Sequence, residues 1–195
     1  MSRLMCVLVS VLALSCADSG GPVLVDAQWN LTCPADTGVD CGALAPQTCL
    51  GTVGQRAIVG EHRQPACTGD PIVAICEAVQ RADGTRIVTL EANIANTFAF
   101  ELRGATIDAE GVVEQTACNV AIIEDQVSYD IGACGQAAPS MEQPCELSDV
   151  SVEGNEFSFG LECRSLISST TAAGFDVGAV GGGPTTIRFA NCVGF

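Results

Sequence analysis

Three residue types could do chemistry in this chain: a single histidine, His62; 23 aspartates and glutamates; and twelve cysteines. Catalysis by an activated serine needs an imidazole base beside an exposed nucleophile. His62 is the only imidazole, it lies between Glu61 and Arg63, and no G-x-S-x-G elbow occurs. Ser165, Ser168 and Ser169, followed by Thr170 and Thr171, read as a strand end running into a loop. No catalytic residue is assigned on this basis. Glycoside hydrolysis asks for less, two carboxyl groups roughly 5 to 9.5 Å apart. The nearest pairs in sequence are Glu124 with Asp125, and Asp108 with Glu110. Both read as solubilising groups, the first at a turn after Ile122 and Ile123, the second on one solvent-facing side of a strand.

Metal and phosphate chemistry find little to use. Structural zinc sites need closely spaced ligand pairs such as C-x2-C; the nearest regularity here is Cys33, Cys41 and Cys49, eight apart. No metal or cofactor is assigned, and calcium is the one ion the acidic composition admits. Its candidate loops are Asp36-Thr37-Gly38-Val39-Asp40 and Asp108-Ala109-Glu110-Gly111. The glycine-rich stretch 178–184 (GAVGGGP) has no following Lys and no helix, so it reads as a loop. All eight basic residues are Arg, against a formal net charge of −15. With no basic stripe to neutralise a phosphate backbone, nucleic acid is excluded as a partner.

The cysteines point to a compartment. Cys6 lies in the apolar run 4–14, which follows Met1-Ser2-Arg3. One basic residue, an apolar run too short to span a bilayer, and then small residues are the marks of an export signal, here residues 1–15. The stretch Leu12-Ala13-Leu14-Ser15-Cys16 resembles the lipobox of bacterial lipoproteins, a small residue preceding the Cys that is acylated. By that resemblance Cys16 is the lipidation site, residues 16–22 are a tether, and Ala17 implies sorting to the outer membrane or cell surface. The alternative is Ser15-Cys16-Ala17 as an ordinary cleavage site before Asp18, which leaves a soluble secreted or periplasmic protein. Either way ten cysteines remain: Cys33, Cys41, Cys49, Cys67, Cys76, Cys118, Cys134, Cys145, Cys163 and Cys192. An even number suits disulfides in an oxidising compartment. Ten cysteines admit on the order of a thousand pairings, but Cys118 with Cys134 and Cys145 with Cys163 would each bracket a hairpin.

The elements that must position these groups are strands. Val23, Val25, Ala27, Trp29 and Leu31 alternate with polar residues, the period of a half-buried strand. Residues 33–70 turn rich in Cys, Gly and Pro and read as a loop region, with a short strand near 56–60. Residues 72–79 suit a strand or a short helix, and Asp83-Gly84 marks a hairpin turn. Alternation resumes through Phe98, Phe100 and Leu102, breaks at Gly104 as at a bend or tight turn, and continues through Ala105 and Ile107. Cys118, Val120 and Ile122 lead to Val127, Tyr129 and Ile131. Gly154-Asn155 joins Val150 and Val152 to Phe157, Phe159, Leu161 and Cys163, and Ile187 and Phe189 build a last strand.

About ten short strands without a helix predict an all-β, disulfide-rich chain: an antiparallel β-sandwich, with a β-barrel as the alternative. Residues 23–195 form one domain. The functional expectation is a non-enzymatic envelope or surface lipoprotein, a binding or structural module held to the membrane by its lipid anchor and facing an unidentified protein or glycan partner. A secreted carboxylate-dependent hydrolase acting on polysaccharide is the alternative.

Overall fold

The computed structural model describes residues 21–33, 48–51, 72–94, 98–108, 118–124, 126–131, 133–135, 138–140, 144–171, 173–179 and 181–195. Within them lie twelve strands: β1 (Leu24–Thr32), β2 (Thr48–Gly51), β3 (Val73–Gln80), β4 (Arg86–Ile94), β5 (Phe98–Ile107), β6 (Asn119–Glu124), β7 (Val127–Ile131), β8 (Cys134–Gly135), β9 (Cys145–Glu153), β10 (Glu156–Ser168), β11 (Gly174–Gly178) and β12 (Thr185–Ala190). The described residues contain no helix, so 72–79, open between strand and helix in the sequence, is strand. β2 falls inside the region read as loops. Its four residues are too few to show a period, and pairing with β1 makes them a strand.

The sheet order is β11-β1-β12-β10-β7-β6-β5-β4-β3, with β2 on the far side of β1, β9 beside β10, and β8 beside β9. Every pairing between strands is antiparallel except β8 with β9. β3 to β7 make one layer. β1, β2 and β8 to β12 make the other, and β10 belongs to both, since Ile167 and Ser168 pair with β7 while Phe157 to Leu161 pair with β12. A long strand that turns such a corner lets one sheet fold over on itself. The two layers meet face to face: the Phe100 ring lies 6.4 Å from Trp29, 6.2 Å from Phe159 and 6.4 Å from Phe189, none of them on a strand paired with β5. This is the sandwich that the alternation predicts. Each fully buried Phe or Leu at this seam contributes about 1.5 to 3 kcal/mol.

Three bulges change which residues face the core, and each sits at a left-handed residue. In β5, Phe100 and Leu102 face inward, Gly104 (φ 78°) is the extra residue, and Ala105 and Ile107 then take over. The break at Gly104 is therefore a bulge inside one continuous strand and not a bend or turn between two. In β9, Cys145 and Leu147 precede Asp149 (φ 48°), after which Val150 and Val152 pack on the core. In β10, Phe157, Phe159, Leu161 and Cys163 precede Ser165 (φ 57°), after which Leu166 and Ser168 turn inward. One added residue in a period-two strand flips every later side chain to the other face.

β11 and β12 are one strand interrupted. Both lie on the same edges of β1 and β10, and the register of each partner steps by six between them, the length of the excursion 179–184. Gly181, Gly182 and Gly183 all have positive φ, and the excursion closes where the Ala179 N–H donates to the Gly183 carbonyl at 2.9 Å. Glycine supplies here the backbone freedom that other residues lack.

Candidate functional site

Among the described residues three disulfides brace the sandwich. Cys145 and Cys163 face each other directly across β9 and β10, with Cα atoms 4.0 Å apart. Cys118 and Cys134 close the β6–β7 hairpin, Cα atoms 5.6 Å apart. These are the two pairings expected from the sequence. The third, Cys76–Cys192, is separated by 116 residues and has no local signal. It ties β3 in one layer to the segment just after β12 in the other. Cys33 is also disulfide-bonded, and Cys49 stands on β2 opposite Gln28. Cys16, Cys41 and Cys67 lie outside the described residues, as do His62 with Glu61 and Arg63, the loop 36–40, Glu110 and Asp125.

Glu124 departs from the expectation that it solubilises a turn. It is buried, and the Trp29 indole N–H donates to its Oε1 at 2.7 Å across the two layers. A buried carboxylate without partners is very costly, so such groups persist where donors meet them. The signal was present in the alternation: Cys118, Val120 and Ile122 are buried, and one further step of two puts Glu124 inside as well. Next to this pair, at the same end of the sandwich, the turn after β10 is laced by its own hydroxyls. Ser168 Oγ accepts from the Thr170 and Thr171 N–H groups at 3.3 and 3.4 Å, and Ser169 Oγ accepts from the Ser128 N–H at 3.1 Å. Ser165, Ser168 and Ser169 thus serve a bulge, a strand end and a turn.

Outside the core, acids gather in pairs around arginines. Arg103 reaches Glu101 at 3.0 Å and Glu91 at 3.6 Å, two residues directly opposite on β4 and β5. Arg164 reaches Glu162 at 2.9 Å and Asp176 at 3.2 Å, and Arg188 pairs with Glu156. The hydrogen bond to Glu162, with Asp176 close by, holds the Arg164 guanidinium above its ordinary range. In the β3–β4 turn the Thr85 hydroxyl and N–H both donate to Asp83, at 2.6 and 3.0 Å, and hold its carboxyl below the usual aspartate value. These acids are engaged as structural acceptors on open sheet faces. Among the described residues no three His, Cys, Asp or Glu side chains are grouped to hold a metal, and no helix is long and apolar enough to cross a membrane.

All nine aromatic residues of the chain are described, and none is exposed. Trp29, Phe100, Tyr129, Phe157, Phe159, Phe175 and Phe189 are buried, while Phe98 and Phe195 are half-buried against the core. At the other end of the sandwich, Asn191 (φ 60°) gathers three segments. Its Nδ2 donates to the Pro22 carbonyl at 2.9 Å, its Oδ1 accepts from Asn155 at 3.3 Å, and the chain then crosses to β3 through Cys192 and Val193. Val193 exchanges two backbone hydrogen bonds with β3, at 2.8 Å to Ala78 and 3.0 Å to Cys76. No protein-family model, curated protein or solved structure matches this chain.

Proposed function

We propose that this chain is a non-enzymatic module of a bacterial outer envelope, anchored through acylated Cys16 and working as a rigid binding or structural body toward a protein partner. The observation that carries the reading is the bracing of the fold. Disulfides within and between the layers belong to an oxidising, non-cytoplasmic compartment. The chain enters the domain at Pro22, fastened to Asn191, so an N-terminal anchor would hold a stiff body by one end. A protein partner is favoured over a glycan because none of the nine aromatic rings is exposed, seven being buried and Phe98 and Phe195 half-buried. The polysaccharide hydrolase is the weaker reading: Glu124 is buried under an indole donor, and the acid pairs Glu91/Glu101 and Glu162/Asp176 each share an arginine. A general acid has to reach its substrate.

Intact mass of the protein from its native host, with and without reduction and alkylation, tests the proposal. The expected result is a chain beginning at Cys16 with a lipid-sized excess, and ten thiols that alkylate only after reduction. A chain beginning at Asp18 without lipid would overturn the anchor and make it a diffusible protein.

A further inference from the structure

An outermost strand presents backbone groups that can pair with another chain, and folded proteins blunt such edges by keeping them short, bulged or charged. Among the described strands, β2, β8 and β9 each carry one of these features. β2 has four residues and β8 two. β9, beyond the two residues that β8 covers, is bent by the bulge at Asp149 and carries Glu146, Asp149 and Glu153. β3, last in the sheet order, has none of them. Its eight residues, VAICEAVQ, hold one charge, Glu77, and pair with β4 in unbroken register. Val73 and Val79, 67% and 62% exposed, flank Glu77 on one face.

The edge of β3 turned away from β4 is met instead by the segment that follows β12. Val193 is bridged in parallel to Glu77; its carbonyl accepts from the Ala78 N–H at 2.8 Å and its N–H donates to the Cys76 carbonyl at 3.0 Å. The segment is pinned on both sides of this pairing. Cys192 is bonded to Cys76. Gly194, at φ 87°, passes the Ala78 carbonyl so closely that a Cβ would collide with it, and the Phe195 ring packs 5.3 Å from Phe157 on β10. Residues 192–195 thus cover the middle of the one long, unbulged and weakly charged edge among the described strands.

We infer that residues 192–195 are an edge guard, a covalently pinned strap that keeps β3 from pairing with β3 of a second copy. The register of β3 suits it to itself. Antiparallel pairing centred on Cys76 sets Val73 opposite Val79 and Ile75 opposite Glu77, so no like charges face each other. The guard acts whether or not Cys16 carries lipid, and the inference does not rest on the anchor.

The oxidised chain purified from its host, in a detergent matched to the density of the solvent, would be compared by sedimentation velocity with a chain stopped after Cys192. The stopped chain keeps the disulfide and loses the rest of the strap. The unaltered chain should sediment as a monomer at every concentration, and the stopped chain as a species whose mass rises with concentration to that of a dimer or beyond. Adding Val73→Glu/Val79→Glu, at two exposed positions, would set carboxylates opposite each other across the new pairing and should return the monomer. Gly194→Val, which lifts the strap by collision at Ala78 with all residues present, should associate as the stopped chain does and decides the matter if the stopped chain does not fold. A stopped or Gly194→Val chain that stays monomeric would overturn the inference. So would association of the unaltered chain, or association that persists with Val73→Glu/Val79→Glu in place, since neither would come from uncovering the edge.

Discussion

The Trp29 indole N–H and the Glu124 carboxylate, 95 residues apart in sequence, meet at 2.7 Å inside the sandwich and join its two layers by a polar bond in an apolar seam. Glu124→Leu leaves the indole donor without this acceptor and should destabilise the oxidised protein by about 1 to 3 kcal/mol in urea unfolding. Adding Trp29→Phe removes the stranded donor. The double variant should therefore lose less than the sum of the single ones, with a coupling of roughly 1 kcal/mol. Strict additivity would mean the bond carries no stability of its own.

The Cys76–Cys192 disulfide closes a loop of 116 residues, whereas Cys118–Cys134 closes one of 16. Closure of the longer loop restricts the unfolded chain more, about 4 to 5 kcal/mol against about 3. Replacing Cys76 and Cys192 together by Ala should lower the unfolding midpoint further than replacing Cys118 and Cys134. The reverse order in calorimetry would show that loop length does not decide which disulfide stabilises more.

Gly174 packs against the β10 bulge so closely that a Cβ there would lie 2.9 Å from both Cα and Cβ of Ser165. Gly174→Ala should cost about 1 to 3 kcal/mol through this overlap. Ser165 is itself left-handed, at φ 57°, so Ser165→Gly should relieve the strain and remove the contact with its Cβ, though not the one with its Cα, and recover part of the loss. No recovery in the double variant would place the strain elsewhere.

Asp83 accepts two hydrogen bonds from Thr85, so its carboxylate is favoured in the folded turn and it titrates below the usual value of 3.8. A depressed folded pKa means that the contribution is present above the unfolded pKa and is lost as pH falls through the folded one. Carbon-detected NMR titration should place Asp83 below that value in the native chain and shift it upward in Thr85→Ala. An unmoved titration would remove Thr85 as the cause.

Ser148 Oγ is buried without a hydrogen-bond partner among the described residues, seated over Gly160, where a Cβ would collide with it. Ser148→Ala deletes an unsatisfied polar atom and should leave stability unchanged or raise it by up to about 1 kcal/mol. A clear loss in urea unfolding would reveal a partner for the hydroxyl.

Local periodicity made much of this fold legible. β1 displays its inward residues directly, and the turns at Asp83-Gly84 and Gly154-Asn155 mark their hairpins because positive φ at Gly84 and Gly154 demands glycine. What escaped was decided by distant residues. β2 is a strand because β1 offers it a partner, and β10 runs on through the polar Arg164-Ser165 because a bulge restores its inward phase. The Cys76–Cys192 bond depends on two layers closing over each other, which no spacing encodes. Glu124 was legible in the alternation, yet its acidic neighbour Asp125 made a solvated turn the simpler reading.

The interruption between β11 and β12 makes the fold tolerant of changes in length at one point. Each half of the broken strand is clamped separately between β1 and β10, so residues added or removed within 179–184 shift neither register, and lengthening a closed loop costs only slowly growing entropy. A peptide epitope or affinity tag inserted between Gly181 and Gly183 would be displayed from the middle of a disulfide-braced sheet, its two ends already held together by the Ala179 to Gly183 hydrogen bond.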